Sequence, residues 1–310
     1  MSKKPTSPPS SPDRRSQPKP GRRSAPRKGP PPSRSRGMRS HGAVQAPRKP
    51  GERRAGSGKG PGKGKNSDGW IWGRHAVTAA LANPRRTLHE LWLTEAAARK
   101  LDGRLGGRLG GAPLPLPHRE TDPRELDNIL PGGTVHQGFA LRAAPLEWPP
   151  LDALARDTDL VLVLDQVTDP HNVGAMLRLA SAFGAGVLVM QSRHAPPLVG
   201  AAAKVAAGCL ETVPTALVTN IANTLDALKS LGFQVTGLAG DTPLTLSQAL
   251  RPGKIALVLG AEGPGLRPRV AKTCDQLARI PMQSPGTSGT AESLNVATAA
   301  AIALYEARRG

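Results

Sequence analysis

Hydrophobic and polar positions divide this chain into three stretches of different character. From Asp159 onward, short apolar runs alternate with segments of helical spacing. "LVLVLD" is a continuous apolar run of strand length, followed by "HNVGAMLRLASAFGA", whose Val173, Met176, Leu177, Ala180 and Phe183 recur at helical spacing. "GVLVM" reads as a second buried strand, and "LETVPTA", "FQVTGLA", "KIALVLG" and "QLARIPM" as further strands with helices between most of them. Apolar strands alternating with helices predict an α/β fold with a mainly parallel sheet covered on both faces.

Residues 68–145 carry a weaker pattern. Val77, Ala80 and Leu81 predict a short helix, "LHELWLT" a strand, and "GFALRAA" a second strand after the Pro-Gly-Gly turn at 131–133. The Pro-rich "PLEWPPLDAL" marks a boundary, so 146–157 reads as a linker and 158–310 as a second domain. Residues 1–67 offer almost nothing apolar to bury and hold 13 prolines, so they are expected to be disordered.

Charge changes the picture of that first stretch. The chain's formal charge is +19, yet residues 1–67 alone hold 19 Lys and Arg against 2 Asp and Glu. The high charge therefore belongs to the tail, and the remainder is nearly neutral. A basic tail of this kind is suited to phosphate contacts without sequence specificity. Two cysteines, Cys209 and Cys274, cannot build a disulfide framework, and no Cys/His spacing suggests zinc. No apolar run reaches the ~18 residues of a membrane span and the N-terminus lacks the apolar core of a signal peptide, so the expected location is the cytoplasm, with no membrane partner.

In sheets of this class, ligands bind beyond the carboxyl ends of the strands. Three segments fit: "LDQVTDPHNVGAMLR", "LVLGAEGPGLR", and "ARIPM" leading through a Ser/Gly/Thr-rich loop to "SLNV" and the last helix. Each alone has an ordinary reading. Asn172 and Ser293 are candidate helix caps, Arg178 a solvated helix residue, and the glycines after the strand ordinary turn residues. The first strand is not followed by G-x-G-x-x-G, so a Rossmann nucleotide site is not supported.

Taken in order, "DPHNVGAMLRLASAFGA", "LVLGAEGPGL" and "IPM…SLNVATAAAIALYE" resemble the three motifs of the SpoU-type (TrmH-like) branch of the SPOUT RNA methyltransferases. The likeness covers roughly 158–310, while "GRHAVTAAL" and "HQGFAL" resemble the L30e-like RNA-binding domain that many members carry. The resemblance implies a C-terminal trefoil knot, S-adenosyl-L-methionine as methyl donor, no metal, and a homodimer in which the helix from Leu294 to Leu304 is a candidate interface element. It implies methylation of a ribose 2′-OH, in particular of a guanosine in 23S rRNA. A tRNA ribose methyltransferase, or a non-catalytic RNA-binding assembly factor, are the alternatives. By motif position, Gly260, Ile280 and Leu294 line the cofactor site with Gly263 and Met282 beside them. Asn172, Arg178, Glu262, Ser293 and Asn295 match the polar residues near the reacting centre. Arg178 is expected to orient a phosphate, since a guanidinium has no lone pair with which to accept a proton. Glu262 and Asn295 are expected to order loops. The loop 283–292 is several residues longer than the family pattern, and is expected to be a mobile segment at the mouth of the site.

Overall fold

A computed structural model describes residues 69–108, 114–282 and 293–309, with the backbone alone for 102–108. The basic tail and the long loop, whose disorder and mobility the sequence predicts, lie outside the described residues.

The first half contains β1 (Trp70–Trp72), α1 (Arg74–Leu81), β2 (Leu88–Leu93), α2 (Glu95–Arg108), β3 (His118–Glu120), α3 (Pro123–Ile129) and β4 (Phe139–Ala143). Its four strands form a mixed sheet in the order β1-β4-β2-β3, with only β2 and β3 parallel. Strands β1 and β3 escape the hydrophobic pattern because each has three residues. The residues of β3, "HRE", are all exposed, so no alternation marks them.

The second half contains α4 (Leu151–Arg156), β5 (Leu160–Asp165), α5 (Pro170–Phe183), β6 (Val187–Gln191), α6 (Gly200–Ala206), β7 (Thr215–Val218), α7 (Ile221–Ser230), β8 (Gln234–Leu238), α8 (Leu246–Ala249), β9 (Ile255–Gly260), α9 (Pro268–Thr273), β10 (Gln276–Ala278) and α10 (Val296–Arg309). Its six strands form an entirely parallel sheet in the order β10-β8-β9-β5-β6-β7. The apolar runs explain this directly. Leu160, Leu162 and Leu164 face the core shared with α5 and α10, whereas Val161 and Val163 face a second core with α4 and α7. A strand covered on both faces needs no polar alternation.

Several boundaries differ from expectation. The segment 146–157 is not all linker: α4 lies inside it, with Ala155 fully buried against the second core. The run "LETVPTA" becomes a strand only from Thr215; Cys209–Glu211 before it is a turn of 3-10 helix. Helix α5 opens at Pro170, two residues earlier than Asn172. Its cap is Asp169, whose side chain accepts from the His171 amide at 3.1 Å. It ends at Gly184 in the left-handed region (φ 67°), the usual glycine stop. Across α5, a Cβ on Gly174 would lie 2.6 Å from the Ala202 carbonyl oxygen, so glycine is what lets α6 pack this closely.

Both sheets belong to one compact unit. Leucines and alanines of the first sheet continue into the core of the second without a break.

Candidate active site

The sheet order puts β5 and β9 side by side in its middle, with β8 on the far side of β9. The segments that leave these strands at their carboxyl ends therefore emerge close together. The loop after β9 turns back immediately: Ala261 and Gly265 form an isolated bridge, with the Gly265 amide donating to the Ala261 carbonyl at 3.0 Å. Gly263 and Gly265 supply positive φ values of 81° and 69° for this turn. Gly260 serves the same turn. A Cβ there would lie 2.1 Å from the Gly265 carbonyl carbon, so the loop's own return forbids a side chain. That is the ordinary turn role of a glycine after the strand.

Glu262, at the tip of this loop, accepts two hydrogen bonds through one carboxylate oxygen. The Asn295 side-chain amide donates one, and the Val296 backbone amide donates the other at 3.2 Å. The carboxylate thus sits at the N-terminus of α10, where unpaired amides and the helix dipole favour negative charge. The same Asn295 amide donates to Asn172 Oδ1 at 3.3 Å, and Asn295 Oδ1 accepts from the Ala297 amide at 2.9 Å. Asn295 is therefore the cap of α10, the role Ser293 was expected to fill. Asn172 caps nothing and serves as the acceptor that ties α5 to α10. One small amide chain, Asn172–Asn295–Glu262, fastens the three motif segments together.

Beside this chain lies a cleft of about 470 Å³, lined by Gly260, Glu262, Gly263, Ser293, Leu294 and Asn295 together with Leu238, Ala261 and Val296. Six of the ten residues singled out from sequence thus meet in one place. Asn172 joins through its hydrogen bond. Ile280 is half-buried against the main core, Met282 is exposed, and neither lines the cleft. Arg178 is exposed on α5, away from the cleft lining, and makes no hydrogen bond or ion pair among the described residues.

Sequence reading assigned no role to Asp165 or Arg267. Asp165 ends β5 completely buried, and Arg267 encloses its carboxylate: Nε donates to Oδ1 at 2.8 Å, Nη2 lies 2.6 Å from Oδ1, and the backbone amide donates to Oδ2 at 2.9 Å. This clamp ties the end of the β9 loop to the end of β5. A lone acid closing an apolar strand was the available signal, because a buried carboxylate requires a cation. Cys274 is no nucleophile here: burial, reinforced by the charge of Asp275, pushes its thiol up to about 12.

Two sequence-family models match this chain: SpoU rRNA Methylase over residues 159–305, and RNA 2'-O ribose methyltransferase substrate binding over residues 70–149. A 23S rRNA (guanosine-2'-O-)-methyltransferase of Pseudomonas aeruginosa is 38% identical over 245 residues, covering 77% of this chain and 95% of its own length. The chain belongs to the SpoU rRNA methylase family. Among SpoU relatives, the Salmonella typhimurium protein of the same name is also 38% identical, over 77% of this chain and 97% of its own length. A TrmH-family protein from Porphyromonas gingivalis aligns in structure with a TM-score of 0.61 at 27% identity, over 77% of this chain and 89% of its own. The SpoU methyltransferase AviRb from Streptomyces viridochromogenes, solved with AdoMet, aligns with a TM-score of 0.60 at 22% identity over the same shares, and so shares the fold.

Proposed function

We propose that this protein transfers a methyl group from S-adenosyl-L-methionine to the 2′-OH of a guanosine in 23S rRNA. The observation that carries the proposal is the convergence of the three motif segments on one cleft through Asn172, Asn295 and Glu262. The relatives named for that reaction, matched over 95% and 97% of their own length, support the choice of substrate.

The cleft fits the cofactor. Its volume of about 470 Å³ falls within the ~300–1,000 Å³ of small-molecule sites. Among the described residues of its lining Glu262 is the one ionisable side chain, so recognition there falls to main-chain groups of a glycine-rich turn and to apolar walls such as Leu294 and Leu238. When bound, the cofactor supplies a methyl group on a sulfonium centre, a leaving group that needs no metal.

The chain's own residues supply alignment. Glu262 and Asn295 fix the start of α10 against the β9 loop and so set the shape of the cleft. Asn172 accepts from Asn295 through Oδ1 and keeps its own amide protons for a ligand. Arg178, exposed and without a partner among the described residues, is a donor fork for an RNA phosphate next to the target ribose, a bidentate contact that would stabilise developing alkoxide charge. It cannot take the hydroxyl proton, because a guanidinium has no free lone pair.

The same reading has further parts. We read the C-terminal segment as a trefoil knot, a reading supported by the edge position of β10 beyond β8 and by the packing of α10 on α5 and β9. Just after β10, Arg279 bonds the 244–246 segment from both sides, its amide to the Leu244 carbonyl and its carbonyl to the Leu246 amide, each at 2.9 Å. The protein acts as a homodimer in the cytoplasm, with Ile302 and Tyr305, exposed one turn apart on α10, in the contact that brings one protomer's Arg178 to its partner's cleft. The first half is an L30e-like domain that presents RNA to that cleft.

The test is transfer of labelled methyl from the cofactor to a 23S rRNA transcript, followed by nuclease digestion. Label in 2′-O-methylguanosine is expected, and Arg178→Lys should lose single-turnover rate with RNA affinity retained. Label in a base, in tRNA alone, or nowhere would reject the proposal.

A further inference from the structure

The contacts between the two halves have an unusual composition. Arg86, which follows α1, and Glu211, which precedes β7, form an ion pair whose side chains are 1% and 5% exposed. Arg86 Nη2 reaches Glu211 Oε1 at 2.5 Å and Nε donates to Oε2 at 3.2 Å. Its remaining Nη1 donates to the Ala144 carbonyl at 2.7 Å, where the chain leaves β4 for the linker. Asn83 donates to Glu211 Oε2 at 2.8 Å, and Arg85 to the Glu211 carbonyl at 3.3 Å. A second contact lies further along the same boundary. Lys204 of α6 donates to the Val135 carbonyl and, at 3.4 Å, to Gln137 Oε1. Gln137 holds a left-handed φ of 58° and also receives the first amide of α1, that of Arg74, at 3.2 Å. Glycines let the halves close on each other: a Cβ on Gly73 would strike Lys204 at 2.7 Å, and one on Gly208 would strike the Ala79 methyl at 2.8 Å.

Burying an ion pair is a poor way to gain stability, since an apolar pair of the same volume does as well or better. What a multiply bonded pair adds is direction: it is satisfied in one relative placement of its two supports. Here the supports are the half that matches a substrate-binding family and the half that holds the cleft.

We propose that Arg86 and Glu211, with the Lys204–Gln137 contact, are positioning residues that lock the two halves in one register, and that this lock selects which ribose reaches the cleft. The Pro-rich 145–150 segment is then a tether rather than the element that sets the geometry. The proposal rests on the methyltransferase reading above.

The test separates tether from lock by a short Gly/Ser insertion between Trp148 and Pro149. The inserted chain should modify the same nucleotide at a single-turnover rate close to that of the unaltered protein. Adding Arg86→Met, or the isosteric Glu211→Gln, to the insertion should lower that rate about a hundredfold, the scale of an ångström of misplacement, with cofactor affinity unchanged. If Arg86→Met also loses cofactor binding, the buried charge has unfolded the chain. The apolar pair Arg86→Leu with Glu211→Leu then replaces it and is expected to bind cofactor yet lose the rate. An insertion as damaging as the double change, or full rate at the same nucleotide in Glu211→Gln with the insertion, overturns the lock. Fluorescence energy transfer between the halves gives a readout independent of catalysis. The distance distribution should stay narrow with the insertion and broaden only when Arg86 is also replaced; if broad with the insertion alone, it overturns the lock even if no rRNA is methylated.

Discussion

Replacing Arg267 with Met removes the cation from a carboxylate that has no exposure to solvent. Asp165 would keep the Arg267 backbone amide at 2.9 Å but lose the Nε and Nη2 partners at 2.8 and 2.6 Å. Breaking a buried pair from one side costs about 3–5 kcal/mol. The Arg267 side chain is 35% exposed, so water can reach part of the space it vacates and the lower end, about 3 kcal/mol, applies. For a unit of this size each kcal/mol shifts the melting temperature by about 2–4 °C, which gives a fall of about 6–12 °C. Thermal and urea denaturation should agree on that loss, and calorimetric titration should show weaker cofactor binding, because the clamp anchors the loop that carries Glu262. Adding Asp165→Asn removes the stranded charge and should recover more than half of the lost stability. A single variant that melts within about 2 °C of the unaltered protein, or a double variant no better than the single, would refute this reasoning.

Three further outcomes follow. Gly260→Ala should abolish cofactor binding in the same titration, since its methyl would sit 2.1 Å from the Gly265 carbonyl carbon and displace the turn; ordinary affinity would show that the turn can yield. Asn295→Ala removes a helix cap and should cost about 1 kcal/mol in urea denaturation. Because it also cuts the link between Asn172 and Glu262, single-turnover methylation should fall further than stability does, and a normal rate would remove this link from the mechanism. Deleting residues 1–67, with their 19 Lys and Arg, should flatten the plot of log RNA affinity against log salt, by about 0.7–0.9 for each phosphate that the tail neutralises, without touching cofactor affinity; an unchanged slope would make the tail a bystander.

What the sequence made legible was what repeats. Strands β5 and β9 are unbroken apolar runs, and α5 places Val173, Met176, Leu177 and Ala180 on one buried face, so periodicity alone locates them. The elements it missed are short, such as the largely buried β1 and the exposed β3, where three residues carry no period. The site was legible as three motif segments but not as a set of hydrogen bonds. Residue type alone cannot decide whether Ser293 or Asn295 caps α10, since both suit the position, and the choice fell to the residue that could also reach Glu262. The Asp165–Arg267 clamp and the Arg86–Glu211 pair join residues more than a hundred positions apart, and only the folded sheet brings them together. Ile280 and Met282 were named from their motif, yet the cleft as shaped here is walled by Leu294 and Leu238 instead.

The central claim is best tested by mapping ribose methylation across all rRNA and tRNA in a strain lacking this gene. The account predicts loss of a single 2′-O-methylguanosine in 23S rRNA, restored by the unaltered gene and not by Arg178→Lys. An unchanged 23S pattern, or a mark lost only from tRNA, would contradict it.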